Sequence, residues 1–213
     1  MTKEEIMPNE TLHIAVSYES GIDRGAFADF ESDVATPGLA VKTEERPESG
    51  PFAGLEWLIP TAVMVIIANP YFESFLSEAG KDHYHIVKKA LVRLGQRFLG
   101  KKAPQITDVY TKGKAPSNTP QYSLVFSIYG DINSRLRLKL LIEPNTKPAG
   151  LDEAIGAFMC SLDAIHDGSY GHGQVEGLDD AQPIGGTILV TYNHNKSKLV
   201  VVDPRQKNAD NES

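Results

Sequence analysis

Between Glu56 and Glu73 the chain passes through sixteen residues without a charge, from Trp57 to Phe72. The run reads Trp-Leu-Ile-Pro-Thr-Ala-Val-Met-Val-Ile-Ile-Ala-Asn-Pro-Tyr-Phe. So much apolar surface has to leave water, and the rest of the fold must be arranged to cover it. The run is shorter than the ~20 residues of a membrane-spanning helix, and Pro60 and Pro70 interrupt it. The reading it favours is a buried helix over residues 54–68, apolar on every face. Pro60 then sits in a first turn, and the helix breaks at Asn69-Pro70. Interfacial attachment to a membrane is the alternative, with Trp57, Tyr71 and Phe72 at its edges.

Charge is laid out unevenly around this run. The whole chain carries a net charge of −7. Residues 1–56 hold four basic and twelve acidic side chains, which gives 4 − 12 = −8. Residues 81–102 hold seven basic side chains and one acid, which gives 7 − 1 = +6. Either the two regions face each other, or Lys88, Lys89, Arg93 and Arg97 form an anion-seeking surface for a partner or a lipid headgroup. Nucleic acid is disfavoured as that partner, because the chain as a whole is acidic and no aromatic stacking platform accompanies the lysines and arginines.

Taken in order, residues 1–10 read as a flexible lead. Thr11–Tyr18 is a strand, with Leu12, Ile14 and Val16 on one face. Glu19–Gly54 is a long connection rich in glycine and proline, interrupted by a short strand over Leu39–Thr43. A structureless connection of that length is unusual in a compact domain, so it is either a lid or hides a further element. A helical period resumes over Tyr71–Ala79, with Gly80 as its stop. Asp82 looks like the cap of a second helix, whose stripe is Ile86, Val87, Ala90, Leu91, Leu94 and Phe98. Gly100 and Pro104 end that helix.

After Pro104 the period changes from helix to strand. Residues 105–111 are a candidate strand and 112–120 a polar loop. Tyr122–Tyr129 and Ser134–Ile142 are the clearest strands, and Gly130-Asp-Ile-Asn133 is their expected hairpin turn. Leu136, Leu138 and Leu140 share one face of the second strand. Arg135, Arg137 and Lys139 share the other, which therefore reads as wet. Leu151–Ile165 is a helix, and a second hairpin joins Thr187–Tyr192 to Lys198–Val202. Residues 203–213 read as a disordered polar tail.

The fold class expected from this order is α+β: a mostly antiparallel sheet of about five to seven strands, with two or three helices covering one face. Residues 11–202 form its single domain. Cys160 is the only cysteine, so no internal disulfide exists. With no secretory signal at the start, a cytoplasmic location is expected.

Chemistry is thinly marked. His166-Asp-Gly-Ser-Tyr-Gly-His172 lies in a glycine-rich loop after a helix. There His166, Asp167 and His172 are the catalytic candidates. No standard metal spacing occurs, and no cofactor is implied. His83 and His85 point about 200° apart on a helix and cannot chelate one ion together. The function expected is therefore non-enzymatic: a cytoplasmic adaptor or a subunit of a larger assembly, working through a protein partner or self-association. The alternatives are a membrane-associated protein that uses the apolar run with the basic helix, and a hydrolase or metal-dependent enzyme centred on the His166–His172 loop.

Overall fold

The computed structural model describes residues 12–48, 60–74, 78–100 and 120–205. The expected lead over residues 1–10, the candidate strand and loop over 105–119, Trp57, and the tail beyond Arg205 lie outside the described residues.

Eight strands form one mixed sheet. They are β1 (Ile14–Glu19), β2 (Val41–Arg46), β3 (Val63–Ile67), β4 (Phe126–Asn133), β5 (Leu136–Leu141), β6 (Val175–Glu176), β7 (Thr187–Asn193) and β8 (Lys198–Val201). Their order across the sheet is β2-β1-β3-β4-β5-β7-β8-β6. The helices are α1 (Ala28–Asp33), preceded by a 3-10 turn over Arg24–Phe27, α2 (Asn69–Ser74), α3 (Glu78–Phe98) and α4 (Pro148–His166).

The apolar run is not one helix over its described residues. Its described part is strand β3 followed by the short helix α2, and β3 lies inside the sheet between β1 and β4. A short apolar run cannot be assigned by periodicity alone, and strands buried in mixed sheets read as unbroken hydrophobic stretches. Local preference decides here. Val63, Val65, Ile66 and Ile67 are β-branched, and Val63, Val65 and Ile67 alternate into the core with no exposed surface.

That reassignment also changes the sheet. With β3 a strand, α2 and α3 become a crossover between β3 and β4, and the two strands run parallel. In the same way the Arg24–Asp33 helical segment joins β1 to its parallel neighbour β2, and α4 lies between β5 and its parallel neighbour β7. A helix inserted between strands returns the chain to its starting end, which is why parallel partners follow. Four of the seven strand pairings are parallel, so the sheet is mixed rather than mostly antiparallel. It also has more strands than the sequence pattern suggested.

The helices pack on one face. Ile14, Val16 and Tyr18 of β1, Phe126 and Ile128 of β4, Leu138 and Leu140 of β5, and Val190 of β7 meet Leu91 and Leu94 of α3 and Ile155, Phe158 and Leu162 of α4 in one buried cluster. Burying one such large side chain contributes about 1.5–3 kcal/mol, so this layer dominates stability.

Several local expectations shift. The connection over residues 19–54 holds the 3-10 turn, α1 and β2. Helix α3 starts at Glu78, so Gly80 and Asp82 lie within it rather than between two helices. The β4–β5 turn is at Ser134-Arg135, where Asn133 Oδ1 accepts from the amides of Arg135 and Leu136 at 2.9 and 3.0 Å. Gly130 is a strand residue. A Cβ placed on it would penetrate the Leu162 side chain of α4. This glycine sets how closely helix and sheet approach.

Gly130→Ala should therefore cost about 1–3 kcal/mol in urea unfolding. Combined with Leu162→Ala, which alone should cost about 2–5 kcal/mol, the loss should fall short of the sum of the two single losses, because the removed side chain makes room for the new methyl group. Independent, additive losses would show that the contact is not the cause.

Candidate functional site

The face of the sheet turned away from the helices carries a line of polar side chains across four strands. At the β2 end, Arg46 Nη2 lies 3.1 Å from Glu19 Oε1 and donates to the Thr61 carbonyl at 2.7 Å. Thr61 Oγ1 donates to the Val63 carbonyl at 2.8 Å, so the Ser127 hydroxyl, 2.6 Å away, donates to Thr61. Next along β4 is Tyr129. Lys139 Nζ lies 5.4 Å from its ring centre and the Arg137 guanidinium 6.0 Å. Arg137 Nη2 stands 3.1 Å from Asp131 Oδ1, an ion pair whose angles fall short of a hydrogen bond.

Burial governs how these groups titrate. It pushes Lys139 down to about 8 and Tyr129 up to about 12. It also raises Asp131, with Arg137 and His166 pulling the other way. A lysine shifted toward neutrality is the type of group that serves as a base or amine nucleophile. Lys139, however, is only 1% exposed. It lies between Tyr129 and the β7 residue Leu189 in register, so its shift reflects enclosure in the sheet face. The sequence pattern placed Arg135, Arg137 and Lys139 on a wet face. Arg135 is exposed, Arg137 half-buried and Lys139 buried.

The residues singled out in the sequence are dispersed. Lys88 Nζ binds Asp152 at 2.8 Å on α4. Arg93 Nη1 binds both Asp33 oxygens at 2.8 and 2.7 Å, and Arg97 pairs with Asp29. The basic face of α3 thus meets acids of α1 and α4, and these arginines line a cleft of about 450 Å³ with their partners. Lys89 is exposed. Tyr71 and Phe72 are buried core residues, unavailable to a lipid surface or a partner as they stand.

In the histidine loop, His166 Nε2 donates to the Asp131 carbonyl at 2.8 Å, and its ring stacks on Phe72 at 4.5 Å. His172 is 96% exposed beside Asp179. Hydrogen bonds from the Ser169 hydroxyl and from its amide, the latter at 2.7 Å, hold the Asp167 carboxyl below the usual range. Each of the three has its own neighbour, and none shares a target atom with another. Among the described residues no three His, Cys, Asp or Glu side chains converge as a metal site would require. Cys160 is exposed, with Sγ 3.3 Å from the Tyr84 hydroxyl.

The short strand expected over Leu39–Thr43 is overlapped by β2 at Val41–Arg46, but sequence reasoning did not place it at the sheet's long edge. The amides of Ile14 and Ser20 donate to Ala40 and Arg46 at 3.1 and 2.8 Å. That register turns the main chain of Lys42 and Glu44 toward β1 as well. Val41, Thr43 and Glu45 then direct their N–H and C=O groups outward, where no described residue meets them. The signal for the strand's full extent was Val-Lys-Thr-Glu-Glu-Arg itself, a β-branched alternation hidden among charges.

No protein-family model, curated protein or solved structure matches this chain. No helix among the described residues is long and apolar enough to cross a membrane.

Lys139 supplies a pH test. Folded, it gives up its proton near 8; unfolded, it keeps it to about 10.5. Between those values the unfolded chain binds more protons, so stability rises with pH, by at most about 3 kcal/mol. Urea midpoints of the natural chain should climb from about pH 8 to about pH 10 relative to those of Lys139→Met. Parallel curves for the two proteins would refute the shift.

Proposed function

We propose that this protein works through protein contacts, as an adaptor or a subunit of a larger assembly, rather than by catalysis. The observation that carries this reading is the outer edge of β2, which no strand among the described residues covers. Three residues of that strand, Val41, Thr43 and Glu45, hold main-chain donors and acceptors facing outward. An extended segment that adds to such an edge gains a ladder of main-chain bonds, with side chains on alternating faces to set specificity. The other edge of the sheet, β6, has two residues and offers little to pair with.

The dispersal of the histidine loop fits the same reading. His166 is held by a main-chain carbonyl and an aromatic ring, which suits anchoring the end of α4 under β4. The basic face of α3 meets charged groups of its own chain, so it is less suited to serve a lipid or a nucleic acid.

A photo-reactive amino acid at position 45 should give a protein adduct when the chain is expressed in cells, and the same group at position 172 should not. Absence of any adduct from positions 41, 43 and 45 would overturn the reading.

A further inference from the structure

We propose that the partner of β2 is a second copy of the same strand, paired antiparallel about Thr43. The proposal rests on the contact reading above and names the occupant of that edge.

The register follows from which groups face outward. A two-fold axis perpendicular to the sheet keeps each side chain on its own face, so the residue numbers of opposed positions must sum to an even value. Hydrogen-bonded pairs need outward-facing main chains on both strands. With the axis at Thr43, Thr43 faces its own copy and Val41 faces Glu45 of the second copy. All of these residues have outward N–H and C=O groups. Each such pair exchanges two main-chain bonds. Between them fall the non-hydrogen-bonded positions, where side chains come closest, and there Lys42 faces Glu44 of the second copy, with the reverse on the other side of the axis.

Charges on an edge strand usually act against pairing. Here their order has the opposite effect. Lys42 and Glu44 share one face of β2, and within a single chain they bind each other at 2.6 Å. Both are more than 40% exposed, so they are free to exchange that contact for one across the axis. The antiparallel register turns this pair into two attractive cross-strand pairs. A parallel addition would have no such symmetry. Thr43, at the axis, faces its own copy, and a threonine opposite a threonine is a favourable cross-strand pair. The result is one sheet running through two copies, with both helical layers on the same side.

The symmetry gives a test that a merely sticky edge would fail. Lys42→Glu places like charges opposite each other twice in the homodimer, and so does Glu44→Lys. Each variant alone should dimerise roughly tenfold to a hundredfold more weakly than the natural chain in sedimentation equilibrium. The Lys42→Glu, Glu44→Lys double variant should recover the natural affinity. A mixture of the two single variants should form a heterodimer, because every opposed pair is then attractive. Thr43→Pro, which removes an outward N–H and leaves the β1 ladder intact, should abolish association at an unchanged melting temperature.

A natural chain that stays monomeric throughout the concentration series overturns the proposal. So does a mixture of single variants no tighter than either variant alone. A monomer that still forms adducts from position 45 with a different protein would defeat the second-copy assignment and leave the contact reading standing. A monomer without adducts would defeat both.

Discussion

Burial of the β3 side chains between β1 and β4 is the constraint on which the rest of this structure depends. Val63, Val65 and Ile67 have no exposed surface, and their strand is hydrogen-bonded along both sides. Antiparallel pairing with β1 and parallel pairing with β4 then fix where the connections must go. The chain has to cross back over the sheet to reach β4, and α3 is the element that does so. Once α3 lies on that face, its residue Gly95 brings it against Phe126 of β4 and Leu151 of α4. Leu162 of α4 in turn closes on Gly130. The helical layer is thus positioned by two places without a side chain and by the strand beneath them.

Electrostatics is arranged around this packing rather than directing it. The acidic first third of the chain and the basic helix meet through Asp29, Asp33, Arg93 and Arg97, at the surface of the α1–α3 contact. Exposed pairs of this type contribute about 0.2–1 kcal/mol each, far less than the apolar layer below them. Their effect is on placement: they hold the crossover before β2 against α3. On the opposite face runs the polar line from Arg46 to Lys139, where the shifted titration of Tyr129 and Lys139 follows from enclosure.

The elements whose period is sharp could be read in the sequence. Strands β1, β5, β7 and β8 and helix α4 stand close to where alternation and the three-to-four-residue stripe put them. The apolar run could not be read this way, because a strand flanked on both sides has no polar alternation to reveal its period. That one ambiguity carried forward. With β3 taken for a helix, the β3–α3–β4 crossover was invisible, and the sheet looked antiparallel. Lys139 misled for a related reason: a charged residue in alternation with leucines indicates a face, but not whether that face is covered. Of the candidate site, the histidine loop was conspicuous by composition, whereas the β2 edge depends on long-range pairing with β1 that no local pattern shows.

Amide hydrogen exchange across β2 in dilute solution is the most direct test of this architecture. The amides of Lys42, Glu44 and Arg46 should be protected by β1, those of Val41, Thr43 and Glu45 should exchange freely, and the β3 amides should be among the slowest of all. Raising the protein concentration should then slow Val41, Thr43 and Glu45 alone. Protection of those three in the dilute chain, or fast exchange at Val65, would contradict the open edge and the central strand from which it was derived.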